Sequence, residues 1–380
     1  MMIQWIIWKA FGFVYGKVFK PIVFLLSPDA AHEQTVKFIS RMGKYTWFRW
    51  LTRVVFKLKR NTVLNQTING LKFDNPVGLS AGFDKNGEVV PAISNLGFGF
   101  GEVGSVTAEM CVGNPKPWFY RLPKTKSLVV NAGLANDGSS AILSRIKENK
   151  NRVHKHYVTI LSVAKANDES CVSVEDGIRD YVTTLKRASD NKQIGALEIN
   201  ISCPNTYGGE PFTTSDNLDK LLRAVSRLKI KKPIFIKMPS NLTWPESKEL
   251  IEIIVKHKLA GVTVANLSKT RDKVNPEDKL PDTVKGSLSG MPAWESSNEL
   301  IRNIFLGYGN ELTIIGVGGI FSAEDAYTKI RLGASLVEFI TGMIFVGPQL
   351  ASEINYGLIR SLKRDGFTNI SQAIGVDARA

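Results

Sequence analysis

The sequence predicts an α/β fold: a (β/α)8 barrel preceded by a small helical extension. Three observations predict it. Eight short apolar runs of strand length recur from about residue 70 onward. Amphipathic stretches of helical length lie between them, which calls for a parallel sheet. Polar and glycine-rich residues gather just after the runs, as they do at the carboxyl rim of a closed barrel. With 380 residues, the chain can bury one large core beside a small appendage. An open doubly wound sheet is the rival, but no G-x-G-x-x-G turn opens the first helix.

The extension is drawn as residues 1–60 and the barrel as 61–380. Residues 1–26 are strongly apolar and aromatic, with Trp5, Trp8 and Tyr15, and are interrupted by Lys9, Lys17 and Lys20. The longest charge-free run, residues 1–8, is far short of the ~20 residues of a spanning helix. A basic region ahead of the apolar run is missing, so the segment does not read as a secretory signal. It reads as interfacial, with rings at headgroup level and lysines reaching anionic lipid. A second basic, aromatic stretch comprises Lys44, Tyr45, Trp47, Phe48, Arg49, Trp50, Arg53, Lys57, Lys59 and Arg60. Between the two, Ser27 or Asp29 would cap a helix. The expectation is peripheral seating on an anionic membrane surface, at its cytoplasmic face. Aromatics packed on the barrel, or a single spanning anchor, are the alternatives.

The expected strands are 77–81, 98–104, 157–163, 196–201, 233–238, 261–266, 313–318 and 335–341. Helices are expected over 174–187, 216–228, 244–257, 293–306 and 323–332. At the strand ends lie Ala81-Gly82-Phe83-Asp84-Lys85, Asn200 through Thr206, Lys237, Asn266, Gly316 through Gly319, and Thr341-Gly342.

The net charge of +14 favours anionic partners. Nucleic acid is not expected, because zinc-finger spacing, an RNP-like strand and a long basic arm are all missing. Cys111, Cys171 and Cys203 are odd in number and far apart, so neither a disulfide framework nor a metal site is indicated. The four histidines, His32, His154, His156 and His257, fall outside the rim segments, which also argues against a metal. The sequence does not speak to oligomeric state.

The glycine turns at 318–319 and 341–342 suit a phosphate, since glycine lets backbone N–H groups approach closely. Simple tight turns are the plain alternative. Lys85 and Lys237 at strand ends call for anions; a solvent-facing lysine is the alternative. Asn131, Asn200, Asn205 and Asn266 both donate and accept, which suits a ring of alternating N–H and C=O groups such as a pyrimidine. Cys203 is either a buried apolar residue or a base acting as thiolate, which needs surroundings that lower its pKa or form the thiolate transiently.

These segments, in this order, resemble the dihydroorotate dehydrogenase family. The matching pieces are NPVGLSAGFDKNGE (75–88), GFGEVGSVT (99–107), GNPKPWFYRLP (113–123), INISCPNT (199–206), PIFIKM (233–238), GSLSGMP (286–292), IIGVGGI (314–320) and GASLVEFITG (333–342). The resemblance runs from about Asp29 to the carboxyl end. It implies FMN in a (β/α)8 barrel, with a hydride passing from C6 of dihydroorotate to flavin N5 and Cys203 taking the C5 proton. It assigns Lys85, Asn131, Gly133, Leu134, Asn200, Asn205, Thr206 and Asn266 to the substrate. It assigns Ala81, Gly82, Lys85, Ser105, Asn200, Lys237, Gly290, Gly318, Gly319, Thr341 and Gly342 to the flavin. The extension and the tail GFTNISQAIGVDARA (366–380) resemble the membrane-bound, quinone-reducing class, with His32 and Arg121 as quinone-pocket residues. That class typically has serine where this chain has Cys203; cysteine there belongs to the soluble class. The loop Asn131–Leu134 is one residue short, Ser162 replaces a flavin-binding Asn, Ala265 and Leu267 replace threonines, and Ile340 replaces a Tyr. The alternatives are the same reaction with fumarate or a partner subunit as acceptor, or a non-catalytic flavin-binding membrane scaffold.

Overall fold

The computed structural model describes residues 2–58 and 61–379. Lys59, Arg60 and the boundary drawn at 60 therefore lie outside the described residues, as do Met1 and Ala380. Eight parallel strands close into a barrel in sequence order. They are β1 (Val77–Leu79), β2 (Phe100–Val106), β3 (Val158–Val163), β4 (Ala196–Asn200), β5 (Ile234–Lys237), β6 (Gly261–Val264), β7 (Thr313–Val317) and β8 (Leu336–Phe339). Closure is made by β8 against β1, in register Val337 to Val77. Each expected strand is present. All of β1, β2, β4, β5, β6 and β8 is buried, which explains why they read as apolar runs without alternation.

The period of two along each strand sorts the barrel interior into layers. The bottom layer is Phe100, Ile160, Ala196, Phe235, Ile315 and Leu336, with Phe73 packed beneath. Phe73 comes from a hairpin, Gln66–Ile68 with Leu71–Phe73, that plugs the amino-terminal end. Gly78 makes room for this layer, since a Cβ there would lie 2.2 Å from Phe100 Cζ. Two residues further along the strands comes a polar layer: Glu102, Ser162, Glu198, Lys237 and Glu338, beside Val317.

The amino-terminal helices are α1 (Met2–Val14), continued by a π-helical turn (Tyr15–Phe19) into α2 (Lys20–Leu25), then α3 (Pro28–Gly43) and α4 (Thr46–Phe56). Ser27 is the cap of α3, its hydroxyl accepting from Ala30 N–H. Asp29 instead accepts from Trp118 N–H at 3.0 Å. Trp8 is fully buried and its indole donates to Val55 O at 2.7 Å. Two of the lysines expected to reach lipid turn towards the protein: Lys9 pairs with Glu353 at 3.0 Å and Lys20 donates to Phe345 O at 3.1 Å. An apolar outer surface remains, including Ile3, Phe13, Ile22, Leu25, Phe38, Trp47 and Trp50. Among the described residues, no single helix is long and apolar enough to cross a membrane.

The barrel helices are α5 (Ser139–Glu148), α6 (Val174–Ser189), α7 (Ser215–Ser226), α8 (Trp244–Lys256), α9 (Trp294–Tyr308), α10 (Ala323–Arg331) and α11 (Leu350–Arg364). Their starts follow local chemistry. Ser173 caps α6, and Thr243 with Glu246 forms a capping box on α8. A three-stranded sheet of Phe119–Leu122, Ser127–Val130 and Ser287–Leu288 is a further element.

Candidate active site at the barrel mouth

The carboxyl ends of the strands open into one continuous cavity of about 410 Å³. Eighteen predicted residues line it: His32, Ala81, Gly82, Lys85, Ser105, Arg121, Gly133, Leu134, Asn200, Cys203, Asn205, Lys237, Asn266, Gly290, Gly318, Gly319, Thr341 and Gly342. Asn131 and Thr206 do not. Asn131 sits behind the wall, its Oδ1 accepting from Asn114 Nδ2 at 3.0 Å. The Thr206 hydroxyl bonds to the loop itself, to Cys203 O at 3.2 Å and Gly209 O at 2.9 Å.

One side of the cavity is a glycine-rich turn. Gly319 holds φ +72°, and a Cβ there would meet Trp294 Cβ at 2.7 Å, so backbone alone forms this wall. Beside it, the Thr341 hydroxyl donates to Ser289 Oγ at 2.8 Å.

Lys85 lies opposite. Its buried Nζ has no hydrogen-bond partner among the described residues. It stands 4.1 Å from the Trp118 ring centroid and 5.2 Å from that of Phe119. Burial pulls its pKa down to about 8, with Asp29 opposing. A buried ammonium over aromatic faces but without an oxygen partner is a receptor for an anion.

The amides form a mesh. Asn266 Nδ2 donates to Asn200 Oδ1 at 3.1 Å and to Ser202 O at 2.7 Å, while Asn205 Nδ2 donates to Val130 O at 2.8 Å. Asn114 and Asn167, which the sequence reading passed over, tie the mesh together. Asn114 Nδ2 donates to Asn205 O, and Asn167 Nδ2 donates to Asn114 Oδ1, each at 3.0 Å. Both belong to loops whose partners are far apart in sequence, and nothing local marks them.

Cys203 is partly buried where β4 runs into its loop. Of the two routes to a thiolate, a standing low pKa or transient formation, the surroundings do not supply the first. Burial pushes the thiol up to about 11, while the Asn205 N–H and the Lys165 ammonium pull the other way. The departures at 162 and 265 also have physical partners here: Ser162 donates to Glu198 Oε1 at 2.8 Å, and Ala265, with Leu267 and Ile340, lines the cavity.

The cavity continues under α2 and α3, past Val23, Phe24, Ala31 and Ile39. His32 Nε2 lies 3.1 Å from Phe83 O. Burial and the nearby Lys85 lower the His32 pKa to about 4, so the ring is neutral and Nε2–H donates. Arg121 donates to Leu26 O at 2.8 Å and Phe24 O at 3.2 Å, which ties the α2–α3 corner to the barrel.

Barrel, rim and cavity make this a (β/α)8 barrel protein with a polar, anion-receptive site at the carboxyl ends of its strands. The family described as dihydroorotate dehydrogenase matches residues 63–362. The chain is 33% identical over 378 residues to a dihydroorotate dehydrogenase (quinone) of Nostoc punctiforme, covering 97% of this chain and 99% of that protein. It is 34% identical over 374 residues to the protein so named in Deinococcus deserti, covering 96% and 100%. The crystal structure of DHODH in complex with ferulenol from Eimeria tenella superposes with a TM-score of 0.83 at 29% identity, covering 94% of this chain and 99% of that one. The chain belongs to the dihydroorotate dehydrogenase family, which is flavin-dependent.

Proposed function

We infer that the protein oxidises dihydroorotate to orotate, a step of pyrimidine biosynthesis, and hands the electrons to a quinone. The single observation that carries this is the continuity of the cavity from Cys203 and the glycine turn to His32 and Arg121 beneath the amino-terminal helices. A polar substrate end and an apolar acceptor end in one cavity suit transfer from a pyrimidine to a lipid-soluble oxidant. The relatives named for quinone align over both ends.

The residues present fit FMN. The unpartnered Lys85 ammonium and the bare backbone at Gly319 are places for anionic groups. FMN would be held by Ala81, Gly82, Lys85, Ser105, Asn200, Lys237, Gly290, Gly318, Gly319, Thr341 and Gly342, and supplies a two-electron acceptor when bound. Cys203 takes the C5 proton at Sγ. Lys85, Gly133, Leu134, Asn200, Asn205 and Asn266 orient the substrate. Asn131 and Thr206 act from behind the wall, Asn131 through Asn114 and Thr206 through the Cys203 carbonyl.

Residues 1–60 act as a peripheral anchor and acceptor entry, seated on an anionic membrane at the cytoplasmic face. The exposed Trp47, Trp50 and Leu25 and the net charge of +14 support this reading. Co-sedimentation with anionic but not zwitterionic vesicles is expected; equal binding to both would count against the electrostatic part.

The test of the reaction is spectroscopic. Purified protein is expected to be yellow with one FMN per chain, and anaerobic dihydroorotate should bleach it. Colourless protein that cannot be reconstituted, or yellow protein that dihydroorotate leaves unchanged, overturns the assignment.

A further inference from the structure

We propose that Glu102, Glu198, Glu338 and Lys237 form a proton store inside the barrel, one that takes up a proton when negative charge reaches the flavin and returns it when that charge leaves. The proposal rests on the flavin reading above. It assigns a role to three carboxyls that do not line the cavity.

β2, β4, β5 and β8 each send one residue inward directly above the apolar bottom layer, and here those residues are three glutamates and a lysine. Lys237 Nζ lies 3.4 Å from Glu102 Oε2, 3.7 Å from Glu198 Oε1 and 3.6 Å from Glu338 Oε1. All four residues are buried. Fully ionised, three carboxylates against one ammonium would leave two uncompensated negative charges away from water. Leaving such charges unpaired away from water is strongly unfavourable, so the layer binds protons instead.

Sites for those protons exist. Among the described residues, Glu102 Oε1, Glu198 Oε2 and Glu338 Oε2 are buried and receive no N–H or O–H donor, and the Glu102 and Glu198 carboxyls lie close enough for a proton to bridge them. Burial, with Glu198 and Glu338 alongside, raises the Glu102 pKa well above the ordinary carboxyl range. Burial raises Glu338 to about 7, with Lys237 opposing. Burial also works against the Lys237 ammonium, but the three carboxylates outweigh it and keep the lysine charged. Asp84 and Tyr157 are the other titratable groups in range. Asp84 accepts from the N–H groups of Glu88 and Val89, at 2.8 and 3.0 Å, but burial still raises it to about 6; it is unchanged in the double variant below, and burial holds the Tyr157 phenol neutral.

Hydroxyls connect the store to the cavity. Ser80, on the cavity wall, donates to Glu338 Oε1 at 2.7 Å. Ser105, also on the wall, meets the Ser162 hydroxyl at 2.8 Å, and Ser162 donates to Glu198 Oε1 at 2.8 Å. Each hydroxyl can accept a proton on one side and pass its own on the other.

Charge and protons then balance. Dihydroorotate loses the C6 hydride, which carries two electrons and one negative charge into the cavity, and loses the C5 proton to the Cys203 thiolate, whose own thiol proton has gone to solvent beforehand. The added charge faces Lys237 and favours protonation of a carboxylate in the layer by like-charge repulsion. One solvent proton enters by Ser80 or by Ser105 and Ser162. When quinone takes the two electrons, with the proton that came with the hydride and one more from solvent to become the quinol, the stored proton leaves by the same hydroxyls.

The test is potentiometric titration of the FMN-loaded protein across roughly pH 6 to 8, whose slope counts protons taken up per two electrons. Two protons are expected, with the ultraviolet–visible spectrum of the reduced flavin remaining that of the anion. Only one is expected in the double variant Glu198→Gln/Glu338→Gln, where Glu102 and Lys237 remain as a neutral pair. One proton in the unaltered protein overturns the proposal, and so does a neutral reduced flavin, because the proton then sits on the flavin. A count of two in the double variant overturns it as well. If that variant does not fold, the count and spectrum of the unaltered protein decide. Protein that holds no flavin, or whose flavin dihydroorotate does not bleach, fails on the earlier reading and is recognised before any proton is counted.

Discussion

Cys203 is pulled in opposite directions by its surroundings. Burial raises its thiol to about 11, against the Asn205 N–H and the Lys165 ammonium. Below that value the thiolate is the minor form and grows with pH, so a base at this position works better as the solution becomes more alkaline. Flavin reduction by dihydroorotate should therefore accelerate by about tenfold per pH unit on the alkaline side of neutrality, where this step limits. Cys203→Ala should keep its flavin yet lose roughly 10²-fold or more of that rate. Stopped-flow absorbance checks both, and an unchanged rate or a flat pH profile would remove Cys203 from the chemistry. The residue was legible because cysteine, proline and two asparagines fall together just after an apolar run. The three buried glutamates were equally visible, one each in GFGEVG, ALEIN and LVEF. They were missed because a single acidic residue in a strand looks like a solvent-facing position until the strands are aligned side by side.

At the scale of elements, α1 is held through Trp8, whose ring is buried and whose indole bonds to Val55 O. The same helical run continues to Tyr15 and Phe24, which line the acceptor end of the cavity. Trp8→Ala removes a contact of about 3–5 kcal/mol, by the measure of buried Trp or Phe truncations. It should slow reoxidation by quinone at least several-fold and leave reduction by dihydroorotate unchanged. Equal slowing of both half-reactions would mean that α1 merely stabilises the barrel. The barrel strands were legible because burial on both faces produces continuous Val, Ile and Leu. The hairpin at Gln66–Phe73 and the sheet of Phe119–Leu122, Ser127–Val130 and Ser287–Leu288 were not. They are short, and the pairing of Ser287 with Val130 joins segments that share no local signal. The lysines of the first helical run, α1 to α2, misled for a related reason. Lys9 and Lys20 read as lipid-facing, but Glu353 and the Phe345 carbonyl, which they meet, lie more than three hundred residues away.

At the scale of the whole molecule, two features that sequence alone set in tension share one cavity. Cys203, typical of the soluble class, and the helical extension, typical of the membrane class, lie at its two ends. The barrel brings the substrate groups together, and Arg121 ties the α2–α3 corner to it through Phe24 O and Leu26 O. On the proposed function, electrons leave through that extension to a quinone. That route is tested most directly by reducing the flavin with one equivalent of dihydroorotate and following its reoxidation by quinone, fumarate or NAD under identical anaerobic conditions. The account predicts rapid reoxidation by quinone and none above background by the other two. Faster reoxidation by fumarate, or no response to quinone, would contradict it.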